Sequence, residues 1–139
     1  MILLDTNVVV ALADLRDELH PRAFADVQRL KRSGLLLPTP VLSEALFVIQ
    51  HWEARTRLRS LIHTLEIQPF QLLEAVAVWE EIFAWLFRYQ EHNPDWVDAY
   101  LVVASGREKR LKIWTYDQEF WKLWRRPDGT PVPLAVRAH

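Results

Sequence analysis

The first element of the expected fold is the stretch Met1-Ile2-Leu3-Leu4-Asp5-Thr6-Asn7. Its four leading residues are all apolar, which is typical of a short strand covered on both faces of a parallel sheet. Weaker strand signals lie at residues 35–37, at Ile67 and at residues 112–115, and stretches with helical spacing separate them. This alternation predicts an α/β fold, namely a three-layer α/β/α sandwich with a short central parallel sheet.

Three of the predicted helices bear on function. Residues 41–52 have helical spacing, and a further helix follows after a break. Residues 72–89 predict one long helix that is apolar nearly all round, so we expect a second copy or another protein to cover it. Within it, Trp79 is in step with Ile82 and Leu86, which favours a core position. Asn93 and Pro94 predict the start of the next helix, with Asn93 as its N-cap.

Length and composition limit the possible classes of protein. We expect residues 1–139 to form a single domain, because half of the residues are apolar, a quarter are charged, and the length suits one core. No apolar run reaches the length of a membrane-spanning helix, which is about 18 residues. No basic leader precedes Asp5. We therefore expect neither a membrane span nor a signal peptide. The absence of cysteine excludes a disulfide framework and a thiolate nucleophile, and favours the cytoplasm.

Charge and residue counts exclude several kinds of site. The net charge is −1, so any nucleic-acid binding must come from local clusters of basic residues. The chain has 3 glycines, too scattered to form a phosphate-cradling loop or a nucleophile elbow. None of the 5 histidines forms a pair at metal-ligand spacing.

Two acids directly follow predicted strands. Asp5 comes after residues 1–4, and Asp117 comes shortly after the strand at residues 112–115. In open parallel sheets, ligands bind beyond the carboxyl ends of the strands. Both acids are therefore candidates for a functional site. Asp5 could instead cap the helix that follows it, and Asp117 could instead interact with the dipole at a helix N-terminus.

Two further acids lie on helix faces that are otherwise apolar. Glu44 shares its face with Val41 and Val48, and no basic residue stands three or four positions away from it. Asp98 is in line with Leu101 and Val102. An uncompensated carboxylate is strongly disfavoured away from water, so each needs a cation. Asp95, on the same side as Asp98, is better explained as a first-turn partner of the helix dipole.

The four acids Asp5, Glu44, Asp98 and Asp117 predict a metal site if they converge. At an effective dielectric of about 20, each close pair of carboxylates repels by several kcal/mol, which a divalent cation would relieve. Oxygen ligands select Mg²⁺ or Mn²⁺ over zinc. The chemistry that such a site supports is hydrolysis of a phosphodiester by a metal-activated water.

Four motifs in order resemble those of the PIN-domain nucleases, and most of all the VapC-type toxin ribonucleases of prokaryotic toxin–antitoxin pairs. They are Met1-Ile-Leu-Leu-Asp5-Thr6-Asn7, Leu42-Ser43-Glu44, Asp98-Ala99-Tyr100-Leu101, and Thr115-Tyr116-Asp117-Gln118-Glu119-Phe120. The resemblance spans nearly the whole chain at the usual intervals of that family. One departure is that Trp114 and Tyr116 flank Thr115 where smaller or polar residues are frequent.

The resemblance implies a Mg²⁺-dependent endoribonuclease, with Mn²⁺ as a possible substitute, that acts as a toxin. It assigns metal binding and catalysis to Asp5, Glu44, Asp98 and Asp117, with Thr115 as a catalytic hydroxyl beside the last acid, and supporting hydrogen bonds to Thr6 and Asn7. It further implies an RNA substrate, a homodimer, and an antitoxin peptide that covers the crevice. Trp121 and Trp124 follow the last acid and precede two arginines, so we expect them to contact RNA or the partner.

Other functions fit parts of the same pattern. A haloacid-dehalogenase-like phosphatase also begins with a strand and an acid, but it needs a second Asp two positions later, where this chain has Asn7. A free-standing nuclease without an antitoxin would share the whole acidic set. A non-catalytic RNA-binding protein of the same fold would be expected to lose some of these acids, and this chain keeps all four.

Overall fold

The sheet has four parallel strands, and helices flank it. The computed structural model describes residues 1–137. The strands are β1 Ile2–Leu4, β2 Leu35–Pro38, β3 Gln68–Phe70 and β4 Lys112–Trp114. The helices are α1 Thr6–Ala13, α2 His20–Leu30, α3 Thr39–Val48, α4 Trp52–Thr64, α5 Val76–Arg88, α6 Trp96–Arg107 and α7 Glu119–Lys122. Two short 3₁₀ turns, Lys31–Ser33 and Gln90–His92, complete the regular structure described.

Strand β1 is apolar at every position because it is buried on both faces. It pairs with β2 on one side and with β4 on the other, with Ile2 opposite both Leu35 and Lys112. Its three residues are at most 3% exposed. The predicted α/β fold with a central parallel sheet is therefore confirmed.

The order of the strands reverses at β1. From β1 the chain adds β2 and then β3 on one side, and much later adds β4 on the opposite side. At such a switch point the connections leave in opposite directions, which opens a crevice beyond the carboxyl ends. The main-chain N–H of Asp5 donates to the carbonyl of Trp114 at 3.0 Å, so the ends of β1 and β4 lie side by side there.

The two edges of the sheet differ. On the outer side of β4, Ile113 donates its N–H to Pro133 and accepts from Ala135, both at 2.9 Å, so the C-terminal segment covers this edge. The opposite edge is β3, which is three residues long and has Pro69 in the middle.

Helices α5 and α6 pack against each other, and α1 contacts α2, α3 and α4. Helix α6 is buried over nearly its whole length, from Val97 through Ser105 apart from Asp98. Within residues 1–137, no helix combines the length and the apolarity needed to cross a bilayer.

Three helix boundaries differ from the sequence prediction. Helix α5 begins at Val76 and not at residue 72, because the N–H of Leu72 donates to the Tyr100 hydroxyl at 2.8 Å. The N-cap of α6 is Asp95, whereas Asn93 takes a left-handed conformation with φ of 48°. The helix predicted for residues 41–52 ends at Val48, because Ile49 is extended.

Two predictions for tryptophan are wrong. Trp79 is 45% exposed, so it is not a core residue of this chain. Trp124 is fully buried, with its ring 5.1 Å from both Trp85 and Tyr89 in edge-on contacts, and it cannot stack on an RNA base. Trp121 is half-buried.

Candidate active site

Asp5 lies at the end of β1 and is also the N-cap of α1. Its side chain is buried, and its Oδ1 accepts the N–H of Thr6 at 2.7 Å. Its Oδ2 accepts the hydroxyl of Thr115 at 2.6 Å and the amide of Asn7 at 3.3 Å. Burial raises the pKa of Asp5 to about 6, although the hydrogen bonds from Thr115 and Thr6 oppose this and nearby Asp117 and Asp95 add to it.

A small hydrogen-bond network fixes the segment after β4 against the start of α1. The hydroxyl of Thr115, which is buried, accepts the N–H of Asp117 at 3.1 Å while it donates to Asp5. Asn7 donates to the same hydroxyl at 3.2 Å, and its carbonyl oxygen accepts the N–H of Tyr116 at 3.1 Å. The side chains of Asn7 and Thr115 thus hold Asp5 and Asp117 in a fixed relation.

Asp98 and Asp95 form a reciprocal cap at the start of α6. Oδ1 of Asp95 accepts the N–H of Asp98 at 2.8 Å, and Oδ2 of Asp98 accepts the N–H of Asp95 at 3.2 Å. This is a capping box, which satisfies two main-chain donors that the helix leaves free. Burial, followed by the negative charge of Asp95, raises the pKa of Asp98 to about 8, with Asp5 and Asp117 contributing.

Glu44 comes from α3, the helix that follows β2. Val41 and Ala45 of this helix are buried in the core, and Glu44 lies beside them with a half-buried side chain. It faces the same cavity as Val48, one turn later. A carboxylate at this place is not part of the packing of α3 and points to a ligand.

These elements enclose a cavity of about 360 Å³, the acidic cavity, at the switch point of the sheet. Six acidic side chains line it: Asp5, Asp17, Glu44, Asp95, Asp98 and Asp117. In the part of the chain that the structure describes, the ion pairs of Asp and Glu involve Asp14, Asp26, Glu81 and Glu108, and none of the six. The negative charge of the cavity is therefore not balanced by the chain itself.

The chemistry of these side chains fits a hard divalent cation, since every acidic group offers oxygen only. As they are placed, no group of three or more His, Cys, Asp or Glu side chains within residues 1–137 is arranged to hold a metal ion. The oxygens of Asp5 and Asp98 accept hydrogen bonds from the protein, and a carboxylate has about four lone-pair sites, so each keeps acceptor capacity for a cation.

The structure brings the four predicted acids to one cavity and places Thr115 behind Asp5, outside the lining. Sequence reasoning missed Asp17, which lies in the loop before α2 and has no periodic pattern around it. For Asp95 it favoured a role at the helix dipole over a role as a ligand, and left open whether Asp95 joins the site. The spacing of three residues from Asp98 was the signal that Asp95 faces the same side.

Two solved structures share the fold of this chain. It is similar to VapC20 of Mycobacterium tuberculosis, described as a sarcin-ricin loop cleaving toxin. The TM-score is 0.66 and the sequence identity is 22%. The match covers 88% of this chain and 94% of that chain. It is also similar to FitAcB of Neisseria gonorrhoeae, with a TM-score of 0.53, 22% identity, and coverage of 85% of this chain and 88% of that chain.

At these identities, the two structural likenesses show a common fold. No curated protein sequence matches the chain. The PIN domain family matches residues 2–123, which include all four predicted acids. The chain therefore belongs to the PIN domain family.

Proposed function

We propose that this protein is a metal-dependent endoribonuclease and the toxin of a toxin–antitoxin pair. The proposal rests on four acids from separate segments, Asp5, Glu44, Asp98 and Asp117, which line one cavity. Within residues 1–137, none of the four has a basic partner. Membership of the PIN domain family and the fold shared with VapC20, a sarcin-ricin loop cleaving toxin, support the choice of RNA as substrate.

We assign metal binding and catalysis to these four acids, with Mg²⁺ or Mn²⁺ as the cation. When bound there, such an ion would lower the pKa of an attacking water and polarise the phosphate. The chain itself supplies orientation: Thr115, Thr6 and Asn7 fix the carboxylate of Asp5 through hydrogen bonds. Thr115 is thus a positioning residue that acts through Asp5.

The role of Asn7 argues against a phosphatase of the haloacid dehalogenase type. That chemistry needs a proton-transferring acid two residues after the first Asp. Here the amide of Asn7 donates to Asp5 and Thr115 and accepts from Tyr116. This residue is therefore uncharged and has a structural role.

An RNA cleavage assay tests the proposal. Purified protein with Mg²⁺ or Mn²⁺ should cut single-stranded or structured RNA internally, and EDTA should abolish the activity because the acids cannot act without a cation. Single-stranded DNA of the same sequence and p-nitrophenyl phosphate serve as controls for the substrate class. Hydrolysis of the phosphate monoester alone, or RNA cleavage that persists in EDTA, would contradict the proposal.

A second copy of the chain is the partner that we propose for helix α5. An apolar stripe of exposed side chains runs along it: Leu73 just before the helix, then Val76, Trp79, Phe83 and Phe87. Exposed apolar surface of this extent marks an interaction site. No residue of α5 is among those that line the acidic cavity, so we assign this stripe to a homodimer and leave the acidic cavity to the antitoxin.

Sedimentation of surface variants tests the dimer. Phe87→Glu places a charge in the stripe at a side chain that is 72% exposed, so it should give a folded monomer whose melting temperature does not depend on protein concentration. The matched control is Phe47→Glu at the end of α3, where the side chain is 82% exposed, and it should remain a dimer. A monomeric wild type, or dissociation by the control variant instead, would overturn the assignment.

A further inference from the structure

Helix α2 carries a row of charged side chains that leads away from the acidic cavity. Leu19, at the N-terminal end of this helix, lines the cavity. Arg22, Asp26 and Arg29 follow it at intervals of three, four and three residues, so they share one face of the helix. With a rise of about 1.5 Å per residue, the row extends roughly 15 Å from Leu19.

The same row lines a cleft of about 390 Å³ together with residues 134–137, which we call the basic cleft. Arg22, Arg29 and Arg137 are the basic residues that line it, and its acidic residue is Asp26. Asp26 already accepts the hydroxyl of Tyr116 at 2.6 Å and Arg29 at 3.3 Å. Among residues 1–137, one carboxylate stands against three arginines here, so the described part of the cleft carries an excess of positive charge.

Arg22 and Arg29 keep hydrogen-bond donors available. A guanidinium has five N–H donors. Among residues 1–137, Arg22 makes one hydrogen bond, to the carbonyl of Arg137 at 3.3 Å, and Arg29 makes one, to Asp26. Both arginines share Asp26 as an ion-pair partner, Arg22 at 4.0 Å and Arg29 at 3.3 Å, so within the described chain most of their donors remain free. Arg22 also lies over the ring of Tyr116 at 4.3 Å from its centroid, which fixes the plane of the group in advance.

Most other arginines of the chain are committed to its own structure. Arginines elsewhere donate to main-chain carbonyls or pair with an acid, and the clearest cases are Arg55, Arg57, Arg88, Arg107 and Arg126. Three of these satisfy carbonyls at or near the C-terminal ends of helices, which is an ordinary structural use of arginine. The basic cleft differs because more arginines than acidic residues line it.

Tyr116 connects the basic cleft to the acidic cavity. It stands between Thr115 and Asp117, and its N–H donates to Asn7 at 3.1 Å. Its hydroxyl reaches the other way and donates to Asp26. Burial, together with this hydrogen bond, raises the pKa of Tyr116, so the phenol remains a donor at neutral pH. One side chain thus spans the distance between the two sites.

We infer that the basic cleft formed by Arg22, Arg29 and Arg137 binds backbone phosphates of the same RNA strand whose scissile phosphate enters the acidic cavity. The inference rests on the proposed function. Six acids in the cavity repel a polyanion, and the net charge of −1 offers no general attraction. Arginine binds phosphate through the two parallel N–H donors of its planar guanidinium group. A row of arginines beside the cavity therefore attracts the RNA backbone and sets the direction in which the strand lies.

The salt dependence of RNA binding tests this inference. Binding of a labelled single-stranded RNA of about 16 nucleotides is measured over a range of salt concentrations in the Asp98→Asn background, which prevents cleavage. Each phosphate of a single strand that the protein no longer neutralises lowers the slope of log K against log salt by about 0.7. We expect the slope for the double variant Arg22→Gln/Arg29→Gln to be smaller by about 0.7 to 1.4.

Control variants separate the effect of charge from an effect on folding. The cleavage assay separates this inference from the proposed function. Arg59→Gln/Arg110→Gln removes two exposed arginines elsewhere and should keep the wild-type slope, whereas Arg22→Lys/Arg29→Lys should retain most of it. In the cleavage-competent protein, the Gln pair should raise KM severalfold with a smaller effect on kcat. Equal slopes for the Gln pair and the control pair would overturn the inference even if RNA is cleaved. A slope difference in a protein that cleaves no RNA would support phosphate binding by the basic cleft but reject the proposed function, and with it the scissile phosphate in the acidic cavity.

Discussion

Replacement of Asp98 by asparagine should abolish RNA cleavage and leave the fold intact. The amide has the shape of the carboxyl group, and its oxygen can still accept the N–H of Asp95, so the cap of α6 survives. The substitution removes a ligand for a cation, and with it the negative charge that Asp98 would carry when a cation is bound. Removal of one preorganised electrostatic group costs on the order of 10²- to 10³-fold in rate, and removal of a metal ligand should cost at least that.

Thermal unfolding without metal gives this variant a second readout. Asp98 has a pKa raised from 3.8 to about 8 in the folded protein, so folding loses stability as the pH rises through that range. The asparagine variant has no such group, so its melting temperature should fall less between about pH 4 and 8 than that of the wild type. Asp128→Asn, an exposed acid in a turn, is the matched control and should retain full activity. Cleavage by the Asp98 variant at the wild-type rate would refute the assignment of the site.

Replacement of Thr115 by valine should weaken both the site and the fold. Valine fills the same volume but removes the hydroxyl that donates to Asp5 and accepts from Asn7 and Asp117. A buried group left without its partner costs about 1–3 kcal/mol in the free energy of unfolding. Because Asp5 loses a hydrogen bond that favours its charged form, its pKa should rise further. Removal of a group that orients a ligand lowers activity by about 10- to 100-fold.

Thr115→Ser distinguishes positioning from packing. Serine keeps the hydroxyl and lacks only a methyl group, so activity should return close to the wild-type level while a small part of the stability loss remains. RNA cleavage rates and melting temperatures of the two variants measure this directly. If serine and valine reduced activity equally, the hydroxyl would have no part in orienting Asp5.

The fold was readable from the sequence where burial leaves a regular pattern. The apolar run before Asp5 predicts a central strand because a strand covered on both faces needs apolar residues throughout. Boundaries were harder to predict where a tertiary contact decides them. The start of α5 depends on the hydroxyl of Tyr100, which captures the N–H of Leu72 from a distant helix. Nothing in residues 72–75 reveals that contact.

The site was predictable in its acids and not in its surroundings. Glu44 and Asp98 were visible as charges on apolar helix faces, and both line the cavity. Trp79 was misjudged because apolar spacing alone cannot tell a face that packs inside the chain from one that another molecule covers. The basic cleft combines α2 with residues 134–137, which are more than a hundred positions apart, and only the fold brings them together.

The edges of the sheet restrict how copies of this protein can associate. An open edge strand invites strand addition from another molecule, and from there fibril growth. Here the segment at residues 133–135 occupies the hydrogen-bonding positions of Ile113 on one edge. The other edge is three residues long, and Pro69 removes a donor from it. Edge-to-edge association of sheets from different molecules is therefore disfavoured. Assembly must use helical surfaces, whose contacts can form and dissociate without breaking the hydrogen bonds of the sheet.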